Sequence, residues 1–375
     1  MNATVKKARM ANLELLRCIA MMMVVVLHFL GKGNLLGNLS EADMGTVGTV
    51  AWLLEDFCIV AVNLYMMISG YFLCTSSFKL SRLINLWLQL WFYSVGVGLL
   101  AYATGIYPVE KFSFHYLLVL VLPVTMGHYW FLTAYVFLYL LLPLIGKAVK
   151  EMSKEQMKVV LGLLFFVFCL LKSVLPVRLD MDGKGYDVLW YLCVFMAAAY
   201  IRRFGFPFLE KKGRAFALYV VGILLMFGAT MGLREIYLRT GSLEHIMKIC
   251  IEYNHVLPFV AAVGLFCLFL QIRISGGFAK IVNKIAPYTL GVYLLHENIG
   301  VIDVWQKWFG AETVNSVGGL LLSTLLAVVV VFTVGVCVDM LRALFMKGLQ
   351  ALFRKFSPYR KLEAKVYAVD EMFRN

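Results

Sequence analysis

Ten stretches of this chain, near residues 13–31, 48–73, 83–105, 116–146, 157–175, 186–201, 215–233, 250–272, 285–302 and 317–338, are apolar over lengths that can cross a bilayer. A helix needs about 20 such residues to cross about 30 Å of hydrocarbon, and hydrocarbon offers no partner to a peptide group left outside a helix. The pattern therefore predicts an all-α polytopic transmembrane helical bundle of about ten spans. Residues 116–146 are too long for one helix, and Pro123 and Gly127 divide them into a short helix and a span that starts near Tyr129. The 62% hydrophobic and 15% charged composition excludes an ordinary soluble domain.

The formal net charge of +13 raises the question of a nucleic-acid partner. The cations, however, lie between the apolar runs and form no extended basic face, so no nucleic acid is expected and they read as topology signals. Lys6, Lys7, Arg9, Lys79, Arg82, Arg202, Arg203, Lys211, Lys212 and most other basic residues fall on one side if the N-terminus is inside. Both termini are then cytoplasmic, and Lys32, Lys111 and Lys307 lie outside. The first apolar run has no small-residue cleavage site and is expected to remain as a span. A membrane domain over 1–340 and a basic cytoplasmic tail over 341–375 follow, with Phe345, Leu349, Leu352 and Phe356 at the spacing of an amphipathic helix on the inner leaflet. The eight cysteines stand singly, nearly all in apolar runs, and indicate neither a disulfide framework nor a metal site.

Ionisable residues inside spans are costly, so each is a functional candidate. In the run Asn12 to Leu30, Arg17 and His28 are eleven residues apart. That places them within roughly 20° of one helix face, about 16 Å apart along the axis. Glu14, three residues before Arg17, shares the stripe and is positioned to orient the guanidinium. His28 can act as a general base near neutral pH, whereas Arg17 must meet an anion or a headgroup. The ordinary explanations are a packed histidine and a snorkelling arginine.

Farther along, Ser69-Gly70-Tyr71 interrupts a smooth apolar helix where a small residue permits close helix approach. Lys79 and Arg82 follow at a spacing that can grip a phosphate from two directions, although basic anchoring also explains them. Trp130 opens a span within an aromatic group that suits a membrane-interface belt. His296 and Glu297 place two ionisable groups inside another span. Tyr186, Asp187 and Asp303 are weaker candidates near the outer mouths.

Taken in order, Glu14, Arg17 and His28, then NLYMMISGYFL at 63–73, HYWFLTAYVFLYLLLPLI at 128–145 and YTLGVYLLHENI at 288–299 closely resemble the motifs of the acyltransferase-3 family of bacterial membrane O-acyltransferases. Two positions depart from that pattern: Asn63 stands where an aspartate or a similar polar group is usual before the SGY segment, and Lys79 stands where an arginine is usual. The lysine keeps the charge but loses the planar fork. No extracytoplasmic hydrolase-like domain is visible.

The resemblance implies transfer of an acyl group, acetyl being expected, from cytoplasmic acyl-CoA to a hydroxyl of a cell-surface or lipid-linked glycan, in a bacterial cytoplasmic membrane. Acyl-CoA is the expected co-substrate, and no metal is expected. Arg17, Lys79 and Arg82 would meet the CoA phosphates, and His28 would be the base, with Arg17 and Glu14 supporting it. His296 would be an alternative base or relay. Trp130, Tyr293, Glu297 and Asn63 would line the acceptor side. A transporter or flippase for a lipid-linked saccharide is the alternative that uses the same intramembrane charges.

Overall fold

The computed structural model describes residues 9–106, 113–175 and 183–374, and these contain helices but no strand. Lys6, Lys7 and Lys111, used above for topology, lie outside the described residues. The chain forms α1 (Ala11–Lys32), α2 (Gly45–Cys58), α3 (Ala61–Leu73), α4 (Leu80–Ala103), α5 (Phe114–Val121), α6 (Trp130–Glu151) and α7 (Lys154–Val174). There follow α8 (Val188–Phe204), α9 (Lys212–Thr240), α10 (Val256–Leu270), α11 (Gly276–Ile285), α12 (Thr289–His296), α13 (Val317–Phe353) and α14 (Ser357–Met372).

Among the described residues, eight helical segments are long and apolar enough to span a bilayer, with α2 and α3 counted as one. This is a multi-pass membrane protein. The difference from ten spans has two sources. Residues 186–201 fall mainly within α8, a 17-residue helix, short for a span and largely buried among its neighbours. Residues 285–302 do not form a full span: α12 stops at His296 and the chain continues in turns. The expected division of 116–146 matches α5, a connecting turn and α6.

Several ends follow from local chemistry. Ser153 and Gln156 form a reciprocal capping box at the start of α7, and Asp187 and Ser316 cap α8 and α13 through their side chains. The expected tail boundary at 341 falls inside α13, which continues to Phe353. After it, α14 folds back onto the start of α4, where Asp370 accepts hydrogen bonds from the Ser81 backbone and hydroxyl and Phe373 packs on Phe78.

The helix α1 sits at the centre, packed on α2, α3, α12 and α13, with most of its length covered. By contrast, α7, α9 and α13 turn Val159, Leu163, Phe216, Leu325 and Val329 outward, as lipid-facing helices do. Gly70 does what its position in the sequence predicts: a Cβ there would lie 2.9 Å from the Phe195 backbone, so α3 and α8 approach only because it has none. Gly291 likewise lets α12 press against Asp339 of α13. These close approaches set His296 beside α1.

Candidate active site

His28, in the last third of α1, meets the end of α12. Its Nδ1 is 2.9 Å from His296 Nε2 and 3.1 Å from Glu297 Oε1. One helical turn beyond His28, Lys32 places its ammonium 2.8 and 2.9 Å from the two Glu297 carboxylate oxygens. His296 Nδ1 is 2.6 Å from the Val292 carbonyl. His128 reaches the Glu297 carbonyl from the turn before α6 at 2.8 Å.

This network assigns the tautomers. A carbonyl can only accept, so His296 carries its proton on Nδ1 and offers the Nε2 lone pair to His28. His28 Nδ1 faces that lone pair and a carboxylate oxygen, so it must carry the proton. The basic nitrogen of His28 is therefore Nε2, which the network leaves open. When Nε2 takes a proton, Glu297 already faces the resulting imidazolium, and Lys32 holds the carboxylate in place.

His28, His296 and Glu297 bring three possible ligand atoms within 4.8 Å of one another. The ammonium of Lys32 on Glu297 and the proton on His28 Nδ1 oppose a divalent cation there. The trio forms a hydrogen-bonded network.

Two cavities flank this centre. One, of about 60 Å³, is lined by His28, Met21, Val24, Trp130 and Tyr293 among mainly apolar groups. The other, of about 490 Å³, lies toward the Arg82 end and is lined by Arg17, Arg82, Asn85, Gln89, Arg342 and Lys347. Tyr65, Phe131 and Leu290 line both, so the two cavities share a wall. The Tyr65 hydroxyl fixes that wall by donating to the Arg17 carbonyl at 3.0 Å.

A family model described as an acyltransferase domain matches residues 10–341, nearly the whole membrane region. The chain belongs to the acyltransferase-3 family. Neither a curated protein nor a solved structure matches it. It is a membrane acyltransferase, and the expected residues can be placed within it.

In this acyltransferase Glu14 is buried and holds Arg17 at 2.8 Å, as the spacing within α1 predicts. Arg17 and His28 lie on one side of α1 but enter different cavities. Arg82 lines the large cavity and lies over the Tyr139 ring at 5.9 Å. Lys79 does not line it: its side chain is exposed, and its backbone N–H donates to the Tyr139 hydroxyl.

Asn63 is fully buried and uses its amide on the Tyr253 carbonyl and the Trp190 indole N–H, each at 2.9 Å. It braces α3 against its neighbours and lines neither cavity. Glu297 faces the imidazoles and Lys32 with both carboxylate oxygens, as described above. Trp130 packs in a group with Tyr186 and Tyr253, at ring separations of 4.3 and 5.9 Å. Asp187 serves as the α8 cap, and Asp303 is exposed.

The sequence reading missed Lys32, Tyr65, Arg342 and Lys347. Lys32 had a signal, its four-residue offset from His28. Arg342 is held by Asp339 at 2.6 and 3.1 Å, and Asp339 also accepts from Gln89 and Tyr93. That arrangement joins α4 and α13, and no local pattern in either helix reports it.

Proposed function

We propose that this acyltransferase takes an acyl group, acetyl being the expected one, from acyl-CoA at the Arg82 end and passes it to a glycan hydroxyl at the Lys32 end. The observation that carries this reading is the shared wall between a large cation-lined cavity and a small chamber containing His28. Arg17, Arg82, Arg342 and Lys347 provide the charge that CoA phosphates need, with the planar forks of the arginines suited to bidentate contact. The pantetheine arm would pass Tyr65 and bring the thioester to His28. The charge pattern supports the Arg82 end as the cytoplasmic side and a bacterial cytoplasmic membrane as the location.

The chamber is small, which suits a short acyl group such as acetyl. Apolar walls also exclude the water that would hydrolyse the thioester. On the far side, Trp130, Tyr186 and Tyr253 form an aromatic surface of the kind against which sugar rings stack.

In the reaction, the acceptor hydroxyl oxygen attacks the thioester carbon while His28 Nε2 removes its proton. The new C–O bond forms, the C–S bond breaks, and the departing sulfur takes the proton back from His28. General-base assistance of this kind contributes about 10² to 10⁴-fold.

The test uses membrane vesicles from cells expressing the chain, supplied with radiolabelled acetyl-CoA. Release of CoA thiol with label appearing in a glycan fraction is the expected result. Movement of a lipid-linked saccharide without thiol release would favour the transporter reading.

A further inference from the structure

We propose that the Tyr293 hydroxyl is a catalytic donor to the thioester carbonyl oxygen, forming an oxyanion site with the start of α6. This rests on the acyl-transfer reading above and adds a catalytic role to a residue that reading treats only as lining.

Tyr293 lies on α12, three residues before His296, and is 6% exposed. It lines the same small chamber as His28, with the two rings 6.4 Å apart. Its hydroxyl is buried yet has no hydrogen-bond acceptor for its proton. The backbone N–H of Phe131 neighbours this oxygen and, being a donor, cannot take that proton. A buried hydroxyl without a partner is costly, and such groups concentrate where a ligand completes them.

Phe131 supplies the second half. It lies in the first turn of α6, a 22-residue helix whose leading backbone N–H groups have no partner within the helix, and its own N–H, directed at the Tyr293 oxygen, leaves the hydroxyl proton free to donate into the chamber. Trp130 and Phe131 of that turn line the small chamber, so the positive end of the helix dipole lies beside it. A carbonyl oxygen in the chamber meets an O–H and a helix start, while His28 Nε2 stands ready for the attacking hydroxyl.

As the acceptor oxygen bonds to the carbonyl carbon, the π pair moves onto the carbonyl oxygen and the hydroxyl proton moves to His28. Tyr293 donates to the oxyanion without giving up its proton. Collapse re-forms the carbonyl and expels the thiolate, which takes the proton from His28. Donors aimed at developing charge act mainly in the transition state.

The test is Tyr293→Phe in the full chain, with Tyr293→Phe and wild type compared in three measurements. In vesicles given acetyl-CoA, kcat should fall about 10² to 10³-fold with KM for acetyl-CoA within about threefold. Thermal stability should change little, because the hydroxyl proton has no acceptor to lose and only the contact from the Phe131 N–H is removed; a structural role predicts a clearly lower Tm instead. Purified wild type should bind acetonyl-CoA, which keeps the carbonyl, more tightly than S-ethyl-CoA, which lacks it, and the variant should lose that preference. If wild type releases thiol and Tyr293→Phe keeps its kcat within threefold, the oxyanion role is overturned while acyl transfer stands. If wild type itself releases no thiol, the acyl-transfer reading and this inference fall together.

Discussion

The two cavities differ in the ways that binding and chemistry differ. The one near Arg82 has about 490 Å³ and four cations around it, while the one at His28 has about 60 Å³ and mostly apolar walls. A large charged cavity suits a group held equally in ground and transition states, so its residues should set affinity. A small chamber with one open imidazole nitrogen suits the atoms that change bonding, so its residues should set kcat. Under the proposed function the two cavities divide the labour between binding and chemistry, with Tyr65 and Phe131 at the border.

Substitutions can break or sharpen that division. The largest effect is expected from His28→Ala, which should lower kcat by about 10² to 10⁴-fold and leave CoA affinity, measured by calorimetry, nearly unchanged. A matching loss of CoA binding would merge the two cavities into one functional unit. Glu297→Gln keeps the shape but removes the charge that faces the imidazolium and Lys32, so a fall in kcat of about 10 to 10²-fold is expected from steady-state rates. Next, Arg82→Ala combined with Arg342→Ala should raise the Kd for CoA about 10 to 100-fold, since hydrogen bonds to charged groups contribute about 1.5–3 kcal/mol, while kcat at saturation stays within about threefold. The smallest effect is expected from Lys79→Ala. Its exposed side chain lies off the cavity, so CoA affinity should change by less than about twofold.

Much of the membrane architecture was legible because hydrocarbon permits few solutions. The division of 116–146 at Pro123 and Gly127, the close approach at Gly70 and the Glu14–Arg17 pair all follow from neighbours within about four residues. The failures share a different cause. Residues 285–302 are apolar enough to suggest a span, yet α12 ends at His296, where buried Asn298 binds the Tyr93 carbonyl on α4 and Glu297 turns to Lys32. Those partners are distant in the chain. The family resemblance places Asn63 on the acceptor side, and in the structure its amide is satisfied by Trp190 and Tyr253. Lys79 and Arg82 looked equivalent from spacing, and only the packing of α4 on Tyr139 and α13 separates the exposed lysine from the arginine in the cavity.

By itself, the sequence determined that this protein crosses a membrane several times, and that α1 carries Arg17 and His28 on one stripe, because both rest on short-range periodicity and the cost of charge in hydrocarbon. Only the tertiary structure decided which nitrogen of His28 keeps its lone pair. That choice depends on His296, 268 residues away along the chain, and on Glu297 and Lys32 converging on one proton. Hydrogen bonds are short and directional, so a pattern along one helix cannot specify what the next helix presents to it.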